Sequence, residues 1–269
     1  MRADIHMHSN FSHDSEFSPE KMILGAIDKG LEVICFTDHF DKDDFAWGQE
    51  DIFDPEEYFN ILVPLQKKYK NQIDMRIGVE IGMQPYLEPF YREFVKKYPF
   101  DFVIGSVHCI RKQDIAFGEI FHGHTDEEIY RITLEETLED VRLYDDFDTL
   151  GHLDYMTRYG KEREKQYSYH KYSDIIDQIL KELVIKGKGL ELNMAGLKYG
   201  LPYAHPHKDV LKRYKELGGE IITVGADGHR PEHIAYDFYK VSDILSECGF
   251  AYYTEFKERK RNNIRITNF

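Results

Sequence analysis

Cysteine is scarce in this chain, with only Cys35, Cys109 and Cys248 among 269 residues. An odd and widely spaced set fits reduced cytosolic thiols better than a disulfide framework. Long apolar runs are lacking as well. No stretch approaches the ~20 apolar residues that a bilayer-spanning helix needs, and the N-terminus carries no apolar core of the kind a signal peptide has. Positive charge is in deficit, with 35 Lys and Arg against 49 Asp and Glu and a net charge of −14. This argues against an extended nucleic acid or a membrane surface as partner, because both need a basic face. A small anionic substrate stays compatible, since bound cations reverse the sign locally. Linkers, low-complexity segments and repeats are absent. The expectation is one cytoplasmic domain over residues 1–269, with nothing that fixes an oligomeric state.

What the chain does have is a rhythm. Short β-branched or apolar runs alternate with longer amphipathic ones. The short runs predict strands over residues 4–8, 33–37, 76–81, 102–107, 149–152, 189–194 and 221–225. Helix starts are marked by Ser18-Pro19, by Asp54-Pro55 and by the capping box of Thr125 and Glu128. Gly30, Gly187 and Gly218 stand where helices should end. Repeated strand–helix alternation implies parallel strands with helical crossovers. A doubly wound sheet and a closed barrel both satisfy it, and both place their chemistry at the C-terminal ends of the strands.

Polar residues gather at those ends. His6 and His8 finish the first strand, and Asp38 and His39 follow the second. Glu80 sits in "RIGVEIG", His108 ends "FVIGSVH", and His152 lies in "TLGHLD". Glu191 and Asn193 come from "GLELNMAG", and Asp227 and His229 from "TVGADGH". Any one of these alone is ordinarily a polar residue satisfied by its neighbours. Together they would be costly to bury along one rim without a cation. Imidazole mixed with carboxylate suits Zn, Mn or Fe. The remaining histidines read differently: His122 and His124 as loop residues, and His170, His205 and His207, at or before helix starts, as exposed ones.

Asp4-x-His6-x-His8, Asp38-His39, Glu80, His108, His152 and Asp227-x-His229 resemble the PHP superfamily, named for polymerase and histidinol phosphatase, over essentially the whole chain. Within it, "DIHMHSNFSHDSEFSPEKM" and "SVHCI" are most similar to the histidinol-phosphatase branch. The resemblance implies a distorted (β/α)7 barrel, α/β and TIM-like, around two or three divalent metal ions (Zn, Mn or Fe). It assigns His6, His8, Glu80 and Asp227 to one ion, and Glu80, His108 and His152 to a second. Asp14, His39 and His229 would hold the third. Many relatives have histidine at position 14, and aspartate there makes the site harder. Asp38 would orient the ligand it precedes.

The implied reaction is hydrolysis of a phosphate monoester, foremost L-histidinol phosphate, by a metal-bridging hydroxide. Nucleotides, short oligonucleotides and phosphotyrosine are the alternative substrates, and a non-catalytic metal-binding module is the alternative to an enzyme. Arg158, just after the fifth strand, is the foremost phosphate ligand, ahead of Arg230 and Arg111. Asp227 and His229 are the groups expected beside the leaving oxygen. His233, with Tyr155, Glu119 and Tyr199, lies in segments able to reach a pocket.

Overall fold

Seven runs of buried, largely apolar residues become strands: β1 (Ala3–Met7), β2 (Val33–Phe36), β3 (Asp74–Gly82), β4 (Phe102–Ser106), β5 (Thr149–Leu150), β6 (Gly189–Asn193) and β7 (Ile222–Gly225). These come from a computed structural model that describes residues 2–266. The strands lie side by side in sequence order, and every pair is parallel. A doubly wound sheet would reverse its order at a switch point. This one does not, so the barrel is the correct alternative. After a break at Thr37-Asp38, His39–Phe40 pairs with Glu80–Ile81 and extends the line of β2.

The barrel is nearly closed, and β7 meets β1 through irregular contacts. The Asp227 N–H donates to His6 O and the His8 N–H to Gly228 O, each at 2.9 Å. Below them the buried Asp4 carboxylate accepts from the Ala226 N–H (3.0 Å) and the Ala235 N–H (2.8 Å). The seam therefore runs through the two strand ends that carry His6, His8 and Asp227. β5 is shorter than the sequence suggests, because the His152 N–H leaves the ladder and donates to Glu191 Oε2 at 3.0 Å.

Helices α1 (Pro19–Asp28), α2 (Pro55–Tyr69), α3 (Glu88–Lys97), α4 (Asp126–Leu143), α5 (Ser173–Lys186), α6 (Lys208–Glu216) and α7 (Val241–Glu247) supply the outer layer. Their starts follow the sequence signals. Ser18 caps α1 ahead of Pro19, Asp54 accepts from the Glu56 and Glu57 N–H groups, and Thr125 with Glu128 forms a reciprocal capping box. Gly187 ends α5 in the left-handed conformation, φ 64°.

A C-terminal hairpin, β8 (Tyr252–Lys257) and β9 (Lys260–Arg265), is absent from the sequence expectation. The reason is composition: β9 reads KRNNIR, a polar run that shows no apolar alternation. The hairpin packs under the N-terminal end of the barrel. Phe256 stacks on Phe102 with centroids 5.2 Å apart, and buried Arg76 bonds Phe256 O (2.8 Å) and Glu255 Oε2 (3.0 Å). Among the described residues, no helix is long and apolar enough to cross a membrane.

One buried carboxyl lacks a hydrogen-bond partner among the described residues. Asp140 on α4 is wholly buried, and neither carboxylate oxygen has a hydrogen bond among the described residues. Burial, with Glu136 and Glu139 nearby, pushes this carboxyl well above the usual range. A raised folded-state pKa means that ionising Asp140 costs stability, increasingly so as pH rises from about 4, its unfolded value. Asp140→Asn should therefore raise stability by about 1–3 kcal/mol at pH 8, with the gain vanishing toward pH 4. Denaturant unfolding of both proteins across that range checks this, and a gain that grows on acidification contradicts it.

Candidate metal centre

Glu80 stands near the end of β3 with its side chain fully buried. Its Oε1 accepts from Ser106 Oγ at 2.6 Å and lies 2.9 Å from His152 Nε2 and 3.4 Å from His108 Nε2. Its Oε2 lies 3.1 Å from His6 Nε2, 3.2 Å from His39 Nδ1 and 3.5 Å from His8 Nε2. Asp227 Oδ1 joins the cluster, 3.4 Å from His8 Nε2 and 3.9 Å from His6 Nε2. Burial opposes ionisation of both carboxylates. The surrounding rings win, His6 and His108 foremost at Glu80, His6 and His8 at Asp227, and hold both well below the usual range. Asp227 has φ 54°, a left-handed backbone that aspartate tolerates better than most residues.

The outer ring nitrogens fix the tautomers. His6 Nδ1 donates to Glu191 Oε1 (2.6 Å) and His108 Nδ1 to Asp41 Oδ2 (2.7 Å). His8 Nδ1 donates to Ser12 Oγ (3.1 Å), whose own proton goes to Asp38 Oδ1 (3.0 Å). Asp38 thus orients His8 through Ser12, and not His39 as its position suggests; the His39 N–H is bound to the same Ser12 Oγ. With Nδ1 protonated, each neutral ring presents a lone pair at Nε2. His152 Nε2, 3.4 Å from His108 Nε2, lies 2.9 Å from Glu80 Oε1, which can only accept, whereas the Nε2 atoms of His6 and His8 face each other at 3.1 Å.

Opposed lone pairs at that separation repel unless positive charge lies between them. Protons and metal cations compete for the same positions. Against the cost of burial, Glu191 and Glu80 hold the His6 ring well above the ordinary imidazole range, and Asp41 and Glu80 do so for His108. His229 Nε2 lies 2.8 Å from Asp14 Oδ2, and His39 Nδ1 3.2 Å from Glu80 Oε2, yet neither nitrogen is aligned for a hydrogen bond. Close contacts without alignment are what shared cations produce. The donor set therefore fits divalent metal ions of the Zn, Mn or Fe type. Ligand atoms of His6, His8 and Glu80, of Glu80, His108 and His152, and of His8, His39 and His229 each lie within 4.8 Å of one another. Asp14 lies against the last group, its Oδ1 3.9 Å from His39 Nε2, in a more exposed position with its side chain 34% accessible.

A pocket of about 290 Å³ opens above the cluster. Arg158, Tyr155, Tyr199, Asp227 and His229 line it, together with Asp44, Asp51, Asp114, Trp47 and Phe117. Among the described residues, Arg158 is the only Lys or Arg in that lining. Its guanidinium lies 4.9 Å from the Tyr155 ring centroid and 4.7 Å from that of Tyr199, and its NH2 reaches Asp227 Oδ2 at 3.4 Å. Arg111, Arg230 and Glu119 are exposed and do not line the pocket, and His233 sits half-buried in the turn Pro231–His233 outside it.

His205 also differs from the sequence expectation. It is wholly buried against Asp154, not exposed, because residues 193 and 205 pair through their backbones and draw it inward. Sequence reasoning also missed Asp41 as a partner of His108 and Glu191 as a partner of His6. Glu191 was visible at a strand end; Asp41 follows His39 by two residues, the same spacing that pairs His6 with His8. Lys198, whose Nζ donates to Asp227 O at 2.5 Å, carried no signal at all.

A barrel whose strand ends deliver imidazoles and carboxylates to one buried cluster defines the metal-dependent class of (β/α) barrel enzymes, with the site at the C-terminal rim. More particularly, the chain belongs to the PHP domain family, whose model matches residues 4–195. It is similar to the histidinol-phosphatase of Lactococcus lactis subsp. lactis, with 34% identity over 251 residues, 93% of this chain and 92% of that one. A probable histidinol-phosphatase of Clostridium acetobutylicum is 31% identical over 246 residues, 91% of this chain and 93% of that one. Among solved structures, the L. lactis histidinol phosphate phosphatase complexed with zinc, L-histidinol and phosphate superposes with a TM-score of 0.89. The two are 33% identical, and the match covers 97% of this chain and 98% of that one.

The outer carboxylates should matter to metal affinity. Glu191→Gln weakens the acceptor for His6 Nδ1–H and should lower affinity by about 10–100-fold, as losses of such partners do. Competition against a chelator of known affinity measures it, and wild-type retention of metal would refute the role given to Glu191.

Proposed function

We propose that this chain hydrolyses L-histidinol phosphate to L-histidinol and inorganic phosphate, in the cytoplasm, with two or three divalent ions bound by His6, His8, Asp14, His39, Glu80, His108, His152, Asp227 and His229. Zinc is the first choice on the strength of the L. lactis complex; the Asp14 carboxylate keeps Mn and Fe compatible with the third position. The domain responsible is the whole chain, residues 1–269.

The observation that carries this reading is the polarity of the pocket. Beside the cluster stands Arg158, whose charge is reinforced by Asp227 and whose pKa is raised. Elsewhere in the same lining stand the acidic Asp44, Asp51 and Asp114 with the aromatic pair Trp47 and Phe117, 5.2 Å between ring centroids. Burial, with Asp44 and Asp41 nearby, pushes the Asp114 carboxyl up to about 6. Carboxylates so crowded are relieved by a cationic ligand. A substrate with a phosphate at one end and an amine and imidazole at the other matches both halves.

When bound, the divalent ions supply a water activated near neutral pH and positive charge for the phosphoryl oxygens. The residues do the rest. Arg158 holds the phosphate by charge-assisted hydrogen bonds, which a planar guanidinium orients better than an ammonium would. Asp227, kept ionised, accepts a hydrogen bond from the attacking water and orients it, and His229, 3.5 Å away, stands beside the leaving oxygen as the group able to return a proton to it. The acidic and aromatic walls anchor the amine and ring, so binding energy remote from the phosphate orients it for in-line attack.

Phosphate release from L-histidinol phosphate should exceed that from a nucleoside monophosphate or p-nitrophenyl phosphate by at least about 100-fold in kcat/KM. Steady-state assays on the metal-loaded protein test this. Similar low rates on all three substrates overturn the substrate assignment, and no hydrolysis of any of them overturns the enzyme assignment.

A further inference from the structure

Asp154 and His205 belong to none of the ligand groups above, yet both are wholly buried beside the pocket. Asp154 follows His152 by two residues and precedes the short turn Tyr155–Arg158. One of its carboxylate oxygens bonds His205 Nδ1, and the other accepts the His207 N–H at 2.8 Å. The backbone of His205 is clamped as well, exchanging N–H···O bonds with Asn193 at 2.8 and 2.7 Å. The ring has no freedom in position or in tautomer. Its Nδ1 carries the proton given to Asp154, so its Nε2 is an acceptor only.

That acceptor is spent on Arg158, whose Nε–H donates to His205 Nε2 at 2.9 Å. Burial and the Arg158 charge push His205 down to about 4, which keeps the ring neutral and its lone pair available. The guanidinium is thus fixed on its Nε edge by His205, on its faces by Tyr155 and Tyr199, and at NH2 by Asp227. NH1 and the second NH2 proton are left for an anion. An ordinary core histidine would be satisfied by any neutral donor; this one is matched to the single Lys or Arg of the pocket lining.

We propose that Asp154 and His205 are a positioning pair, a buried carboxylate–imidazole strut that aims the Arg158 guanidinium at the substrate phosphate. The proposal rests on the phosphatase reading above. It makes His205 and Asp154 determinants of phosphate affinity and of the in-line geometry, without contact with substrate or metal.

Calorimetric binding of inorganic phosphate and of L-histidinol to the metal-loaded protein tests it. Wild-type protein that binds no phosphate defeats the phosphatase reading itself. If wild-type protein binds phosphate, His205→Leu should weaken that binding by about 10–100-fold and leave L-histidinol binding and metal content within about twofold. In an Arg158→Ala background the same substitution should have no further effect, since contacting residues are non-additive. Phosphate binding unchanged by His205→Leu, or an equal loss with Arg158 already removed, overturns the strut. Should His205→Leu fail to fold, two milder variants carry the test. His205→Gln, which keeps a donor and an acceptor, should stay near wild type. Asp154→Asn, which frees the tautomer, should weaken phosphate binding, and wild-type affinity in that variant overturns the proposal.

Discussion

The Glu80 carboxylate sits out of reach of water with the rings of His6, His8, His39, His108 and His152 all within 3.5 Å. Burying an ion in such a place is tolerable only if its surroundings supply the lost solvation. Here that is done by charge and by fixed dipoles, and much of the barrel's rim serves to deliver them. The close packing this demands reaches the backbone. A Cβ at Gly225 would lie 2.2 Å from His6 Cβ, so the seventh strand must present glycine for the first strand's histidine to fit. The seam between those strands, pinned by Asp4, keeps His6 and Asp227 in register.

A second ring of acceptors turns this cluster from a set of rings into a set of aimed lone pairs. Glu191, Asp41 and the Ser12–Asp38 relay each take an outer N–H, and each thereby points an inner nitrogen at its neighbours. His205 repeats the device one step further out, with an arginine in place of a cation. The same logic resolves the charge paradox of the chain. A protein with a net charge of −14 can attract a phosphate because its negative groups are arranged to hold cations and one guanidinium at the strand ends.

The side chains that cluster at the rim were legible in the sequence because strand periodicity makes them so. His6 and His8 share a face by their two-residue spacing, and Glu80, His108, His152 and Asp227 each close a β-branched or apolar run. Strand–helix alternation gave parallel strands with helical crossovers, but the choice of barrel over doubly wound sheet came only from the family resemblance, because a switch point is a property of spatial order. Loop contributions were illegible. Asp44, Trp47 and Asp51 come from a segment with no periodicity, and they meet Asp114 and Phe117 only through the fold. His205 was misread because proximity to a helix start suggests exposure, whereas backbone pairing with Asn193 pulled it under the rim. Arg230 and Arg111 show the converse error: closeness in sequence to His229 and His108 did not bring their side chains to the pocket.

The account depends on cations occupying the space between those opposed nitrogens. Metal content by elemental analysis, combined with thermal unfolding before and after exhaustive chelation, tests that most directly. Two to three divalent ions per chain are expected. Stripping should lower the melting temperature by about 5 °C or more, since ligands bound only by the folded state stabilise it, and restoring zinc should recover it. Less than one ion per chain in protein never exposed to a chelator, or a melting temperature indifferent to stripping, would contradict it.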